Sequence, residues 1–233
     1  MQQATSAYGF GGVTFWLDAA YGLNTQTNLG AVSSWQQRVG GGTFVQATAG
    51  DQPRLILNDA NYNNLPSVES LTAANDFMIA ITGLKLGTSY TVAIVAKANT
   101  IGNNAQCVIG FPQSSTPGFI LGGTRATTTG VGYSINVDLN SPALQGTTES
   151  TNARIHIITN TNIVVNGINE ATGTGVSRPI DLTQIFRGGE VAGGAPQNPL
   201  IGSIAEIIAF PYSMTSDEAI ALSNNINQKY AIY

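Results

Sequence analysis

Leu200-Ile-Gly-Ser-Ile-Ala-Glu-Ile-Ile-Ala-Phe210, running through Pro211-Tyr-Ser-Met214 into Thr215-Ser-Asp-Glu-Ala-Ile-Ala-Leu-Ser-Asn-Asn-Ile-Asn-Gln-Lys-Tyr230, decides the fold. The first part has the length and β-branched content of a strand, and it carries one acid, Glu206, counted by simple alternation onto the face of Ile204, Ile208 and Phe210. In the second part Ala219, Leu222, Ile226 and Tyr230 recur at steps of three and four, while Asp217, Glu218, Ser223, Asn225 and Gln228 take the other side. That spacing predicts an amphipathic helix. Thr215-Ser-Asp-Glu218 marks its start as a capping box, with two acids at the positive end of the helix dipole. A final strand followed by one capped helix closes an all-β sandwich.

Upstream, short apolar segments alternate with Gly- and Asn-rich turns, as in an all-β domain. Val13–Leu17, Ala31–Trp35 and Arg54–Leu57 come first, then Ser89–Lys97, which is apolar on both faces in its middle and suits a covered central strand. Gln106–Phe111, Gly118–Leu121, Val131–Val137, Ala153–Thr159 and Asn162–Val165 follow. Asn166-Gly167 then predicts a type I′ hairpin turn, because both residues accept positive φ, with Ile168–Ala171 as the returning strand. Gly188 to Pro199 reads as one long loop. Residues 1–12, punctuated by glycines, read as a flexible arm, and residues 13–233 as one domain, since no charge run or linker divides them.

Only 9% of the residues are charged, against a usual fraction of about 25%. Thr, Asn, Ser, Gln and 27 Gly wet the surface instead. A net charge of -4 with nine Lys and Arg provides no basic footprint for nucleic acid. Met1 is followed by neither a basic segment nor an apolar one, so no signal peptide and no membrane insertion are expected. The single Cys107, in an apolar run, reads as a buried small hydrophobe.

Phe15-Trp-Leu-Asp18, Val32-Ser-Ser-Trp35, Gln52-Pro-Arg54, Leu65-Pro-Ser-Val68 and the Ile204-Ala-Glu-Ile-Ile208 to Lys229-Tyr230 ending together resemble the concanavalin A-like, laminin-G-like jelly-roll family, of the kind found in phage structural proteins. The resemblance implies a two-sheet antiparallel jelly-roll sandwich with one C-terminal helix. It also implies binding on the concave sheet or the rim loops, in a family that spans glycan-binding modules, glycosidases, lyases and phage structural proteins.

Chemistry is sparse in the residues themselves. Glycosidases of retaining type need two carboxylates roughly 5 Å apart. Glu69, Glu149, Glu170, Glu190 and Glu206 each stand alone in the sequence, and Asp217 with Glu218 is spent on the helix cap. Glu206 therefore reads as a structural acid tied to backbone or to an arginine such as Arg54 or Arg154, and no catalytic residue is assigned. His156, the sole histidine, has Ile155 and Ile157 on the other face and reads as a strand-surface or satisfied residue, so no zinc site and no cofactor are expected. Calcium has candidates in Asn58-Asp59, Asn75-Asp76 and Asp138-Leu-Asn140, each read first as an Asx turn. Trp16 and Trp35 read as core.

Candidate sugar contacts are Tyr62, Asn63 and Asn64 in an Asn-rich loop, with Arg125 and Tyr133. Tyr8 and Phe10 are candidate anchors by which the arm docks on another subunit. The expectation is a non-enzymatic virion surface protein, assembled in a host cytoplasm as capsid decoration, head fibre or tail component. It would adhere to cell-surface glycans, homo-oligomerise and attach to capsid or fibre subunits. The alternatives are a free carbohydrate-binding module and, third, a glycan-degrading enzyme.

Overall fold

A computed structural model describes residues 6–71, 76–99, 108–110, 124–127, 130–135, 144–146, 150–173, 180–187 and 199–233. In chain order the strands are β1 (Ser6–Ala7), β2 (Phe10–Gly11), β3 (Phe15–Asp18), β4 (Ser34–Gln36), β5 (Thr43–Val45), β6 (Arg54–Asp59), β7 (Leu65–Ser70), β8 (Met78–Leu86) and β9 (Thr91–Ala98). They continue as β10 (Ile109–Gly110), β11 (Thr124–Thr127), β12 (Gly130–Ile135), β13 (Leu144–Gln145), β14 (Arg154–Thr159), β15 (Asn162–Val165), β16 (Ile168–Thr172), β17 (Ile180–Ile185) and β18 (Gly202–Phe210), before helix α1 (Ser216–Tyr230). The expected strand at Gly118–Leu121, the loop from 188 to 198 and Cys107 lie outside the described residues.

Two antiparallel sheets form the sandwich. One runs β10-β17-β8-β5-β4; the larger runs β16-β15-β14-β9-β18-β7-β6, with β3 paired to the C-terminal half of β18. Between them lies a core that includes Phe15, Trp35, Phe44, Met78, Ile94 and Ile207. Phe15 and Phe44 meet edge to face at 5.9 Å, the arrangement that ring quadrupoles favour. The outer face of the larger sheet is covered by α1 and by the β1–β2 hairpin, so a second apolar layer forms from Ile155, Ile157, Ile208 and Phe210 below and Leu222, Ile226 and Tyr230 above. Burying Leu222 and Ile226 completely stabilises the helix on the sheet by about 2 kcal/mol each.

This third layer explains β9 and β14. Val92, Ile94 and Ala96 face the inter-sheet core while Ala93 and Val95 face the helix layer, so both sides of the strand are apolar, as its sequence required. The helix starts as expected: Thr215 Oγ1 accepts from Glu218 N at 3.3 Å and Thr215 N donates to Glu218 Oε2 at 2.8 Å. Asn166 and Gly167 sit at φ 49 and φ 76 between β15 and β16, the conformation that the Asn-Gly pair predicts. Gly167 N donates to Ser223 Oγ, tying this turn to α1.

Residues 6–12, read in the sequence as part of a free arm, run instead as a hairpin on the body, with Ala7 buried. The attraction is apolar: Ala7, Tyr8 and Phe10 all join the layer between sheet and helix. Trp35 is core, as expected. Trp16 is not, because β3 points Phe15 and Leu17 inward and Trp16 and Asp18 outward, leaving the indole half-buried beside the hairpin.

Candidate functional site

Asp18 and Glu206 face each other directly across β3 and β18. Their pairing depends on a bulge. Between Ile204 and Glu206 the register against β9 slips by one residue, so Ala205 is extra and Glu206 turns to the helix side, with Ile208 and Phe210 but away from Ile204. Alternation counted along the sequence had placed Ile204 and Glu206 together; the bulge separates them.

Glu206 is wholly buried, yet its oxygens are well supplied. Trp16 Nε1 donates to Oε1 at 2.7 Å, Tyr8 Oη donates to Oε2 at 2.6 Å, and Lys229 Nζ reaches Oε1 at 3.4 Å. The same ammonium lies 3.4 Å from Asp18 Oδ2, which also accepts from Arg38 Nη1 at 2.6 Å. Ala20 N closes Asp18 Oδ1 at 2.9 Å. Two acids and two cations thus neutralise one another in one cluster, as burial of charge demands. Burial raises the Glu206 carboxyl above its ordinary value; the Lys229 charge pulls it down, Asp18 pushes it up, and the Tyr8 and Trp16 hydrogen bonds pull it down. The Tyr8 phenol is likewise raised, first by burial and then by the charge of Glu206.

Outward from the acids the cluster becomes aromatic. The Arg38 guanidinium lies 4.5 Å from the Trp16 ring centre and 5.4 Å from that of Tyr21. With 40% of its side chain exposed and Tyr21 42% exposed, this stack is the cluster's contact with solvent. Arg38 lies against two rings and is held by one carboxylate through Nη1, leaving further N–H donors of its fork for a ligand. Lys229, Trp16 and Asp18 link this surface to the interior.

The residues singled out in the sequence fare unequally. Tyr62 is fully buried, with its hydroxyl on the Ser203 carbonyl at 3.0 Å and its ring edge-on to Tyr230, so it is core and cannot touch a sugar. Asn63 and Asn64 are exposed at φ 56 and φ 60, and Asn63 Nδ2 donates to the Lys229 carbonyl, which places them beside the C-terminal end of α1. Arg125 and Tyr133 occupy adjoining strands β11 and β12, in a separate sheet with β13. Tyr8 is engaged within the chain rather than free as an anchor, and Phe10 is half-buried.

Glu206 bonds to neither Arg54 nor Arg154. Arg54 pairs with Glu69 at 2.7 Å, and Glu206 takes its cation from the helix end. His156 is buried on the inter-sheet face of β14 rather than on the surface; burial, aided by the Arg154 charge, lowers it to about 3. Among the described residues no three His, Cys, Asp or Glu side chains stand close enough to hold a metal. Asp59 receives Asn61 N, Asn61 Nδ2 and Ser67 Oγ, an Asx arrangement that fills its oxygens, and Asp76 accepts from Leu71 N. Asn75, Asp138 and Asn140 lie outside the described residues. Tyr21 and Arg38 had no sequence signal, because the turn after Asp18 sets Tyr21 and the Trp16–Val39 bridge brings Arg38 back to Trp16.

No family model and no curated protein matches the sequence. Solved structures do. A Trypanosoma rangeli sialidase in complex with sialic acid superposes with a TM-score of 0.57 at 13% identity, over 96% of this chain and 34% of that one. A mutant of the same sialidase displaying trans-sialidase activity has a TM-score of 0.53 at 13% identity, over 92% and 33%. The binding domain of Paraclostridial Mosquitocidal Protein 1 has a TM-score of 0.52 at 8% identity, over 91% and 52%. The chain spans about a third of the length of these sialidases, and what it shares with them is a β-sandwich fold. The expectation of a non-enzymatic chain is corrected by this finding, since the fold's neighbours are mainly sialidases, which are enzymes. The reading that the acids each stand alone is corrected too, by the juxtaposition of Asp18 and Glu206.

Proposed function

We propose that the chain is a glycan-binding β-sandwich domain of the concanavalin A-like kind, working within a glycan-recognising or glycan-processing protein. The observation that carries this reading is the Trp16–Arg38–Tyr21 stack. Sugars are held by flat apolar ring faces together with a few fixed polar groups, and a guanidinium pinned by Asp18 against two rings presents its donors without further loss of side-chain freedom. The fold is one that sialidases and the binding domain of a mosquitocidal protein also use, which supports the class.

A glycan array that includes sialylated and neutral glycans, probed with the wild type, Arg38→Ala and Tyr21→Ala, tests the proposal. The wild type should bind a defined subset, and each variant should weaken that binding by about tenfold or more, the loss of one charge-assisted hydrogen bond or one stacking face. Absence of binding to any glycan, or binding that both variants leave unchanged, overturns it. Placement on a virion, with capsid or fibre subunits as partners, is supported by composition: a surface of neutral polar residues and 9% charge. Mass spectrometry of purified particles tests that setting, and particles without peptides of this chain refute it.

A further inference from the structure

Tyr8 is conformationally out of place. It forms the two-residue turn of the β1–β2 hairpin with Gly9, and it does so at φ 52, in the left-handed region that a bulky side chain seldom adopts. Such a backbone persists only where its surroundings fix it. Here the side chain does the fixing. Its hydroxyl donates to Glu206 Oε2 at 2.6 Å, its ring meets Trp16 at 6.3 Å, and its carbonyl accepts from Asn225 Nδ2 at 3.0 Å. One further tie, Tyr212 Oη to the Gly11 carbonyl at 3.0 Å, lies just before Gly12, which at φ 78 takes a left-handed conformation that glycine adopts without steric cost.

The two oxygens of Glu206 are used differently. Oε1 receives Trp16 and Lys229 from the body, whereas the hydrogen bond to Oε2 comes from the hairpin. If the hairpin swings away, Glu206 loses the Tyr8 donor and keeps Trp16, Lys229 and the Tyr230 hydroxyl of the helix, next to the indole surface that Tyr8 had covered. A carboxylate acceptor beside an aromatic face is suited to an uncharged sugar, whose hydroxyl donates to the oxygen while its C–H face lies on the ring. Tyr8 supplies both features from within the chain, a hydroxyl on a flat apolar ring.

The geometry points to a second sugar-binding site beneath the β1–β2 hairpin. Glu206 is its hydrogen-bond acceptor and Trp16 its platform. Tyr8 occupies it as an internal substitute for a neutral sugar, and it opens by movement of the hairpin about Gly12. The inference rests on the glycan reading above, and adds to it a site, a ligand class and an intramolecular competitor. A competitor that keeps the site closed most of the time weakens the apparent affinity by the open fraction, so removing it should tighten binding.

The full chain is compared as wild type, Tyr8→Ala, Tyr8→Phe and Tyr8→Ala with Glu206→Gln. The probes are the methyl glycosides of glucose, galactose, mannose and N-acetylglucosamine, followed by saturation-transfer NMR and hydrogen exchange. Tyr8→Ala should bind at least one glycoside about tenfold more tightly than the wild type, Tyr8→Phe should bind it with intermediate affinity, and the double variant should lose the gain. With that glycoside at saturation, the wild-type amides of residues 6–12 should exchange faster. Folded Tyr8→Ala that binds no more tightly than wild type, or a bound wild type whose hairpin amides keep their protection, overturns the site. Should Tyr8→Ala fail to fold, Tyr8→Phe decides, since it keeps the ring and removes only the hydroxyl. Array binding that depends on Arg38, without any gain in the Tyr8 variants, overturns this inference alone. Failure of every protein to bind any glycan overturns both readings.

Discussion

Glu206 is a fully buried carboxyl group, supplied by donors from three different parts of the chain: Tyr8 from the hairpin, Trp16 from β3, and Lys229 and Tyr230 from the helix. Removing one such donor leaves the full desolvation penalty on the acceptor, which is larger than the net worth of the bond itself. Trp16→Phe keeps most of the ring and deletes only the N–H, so it should destabilise by about 1–3 kcal/mol, read as a lower urea midpoint at unchanged m-value. An unchanged midpoint would mean that Lys229 and Tyr8 already satisfy the carboxylate. None of this was legible in the sequence, for a reason that is local and physical. Alternation assigns faces only while the ladder is regular, and the bulge at Ala205 moves Glu206 to the opposite layer. Tyr62 misled for the converse reason: three asparagines around it look like a wet loop, but the short 3-10 turn Ala60–Tyr62 folds the ring under the helix end, where Tyr230 and Ser203 receive it.

Elements whose causes are close in sequence were legible, and those whose causes are distant were not. The helix and its cap are set within four residues, so Thr215 and Glu218 announce them. Thr215→Ala should cost about 1 kcal/mol, measured as a shift in thermal midpoint, because Glu218 N then loses its acceptor at the first turn. The Asn166-Gly167 turn is equally local. By contrast β7, β8 and β17 were not picked out as strands in the sequence, since what makes them strands is their partners in the two sheets. Gly202 belongs to this second kind. A Cβ there would stand 1.9 Å from the Lys97 carbonyl of neighbouring β9, a backbone atom that cannot turn aside. Gly202→Ala should therefore force β18 and β9 apart and destabilise by about 3 kcal/mol, the upper range for overpacking. A variant as stable as the wild type would show that the two strands separate there without cost.

At the scale of the molecule, two buried ionisable groups on opposite faces of the larger sheet tilt stability in opposite directions with pH. His156, in the inter-sheet layer, is lowered to about 3 from an ordinary 6.5, so the unfolded chain binds its proton more readily. Its contribution is complete above pH 6.5 and is lost as pH falls towards 3, at about 1.4 kcal/mol per unit. Glu206, in the helix layer, is raised above 4.5, so here the folded chain binds the proton more readily. Its stabilisation is complete below 4.5 and declines as pH rises through the folded value. Upward from pH 4.5, until the folded Glu206 carboxyl ionises, the two slopes oppose each other, and the wild-type thermal midpoint should vary less there than that of either variant. His156→Gln removes the acid-side loss, so its midpoint should rise as pH is lowered from 6.5 to 4.5. Glu206→Gln removes the opposing slope, so its midpoint should fall more steeply over the same interval. Thermal melts of the three proteins at half-unit steps from pH 4 to 8 measure this directly. Parallel curves for all three would show that other carboxylates govern the pH response, and that His156 and Glu206 are not coupled to folding.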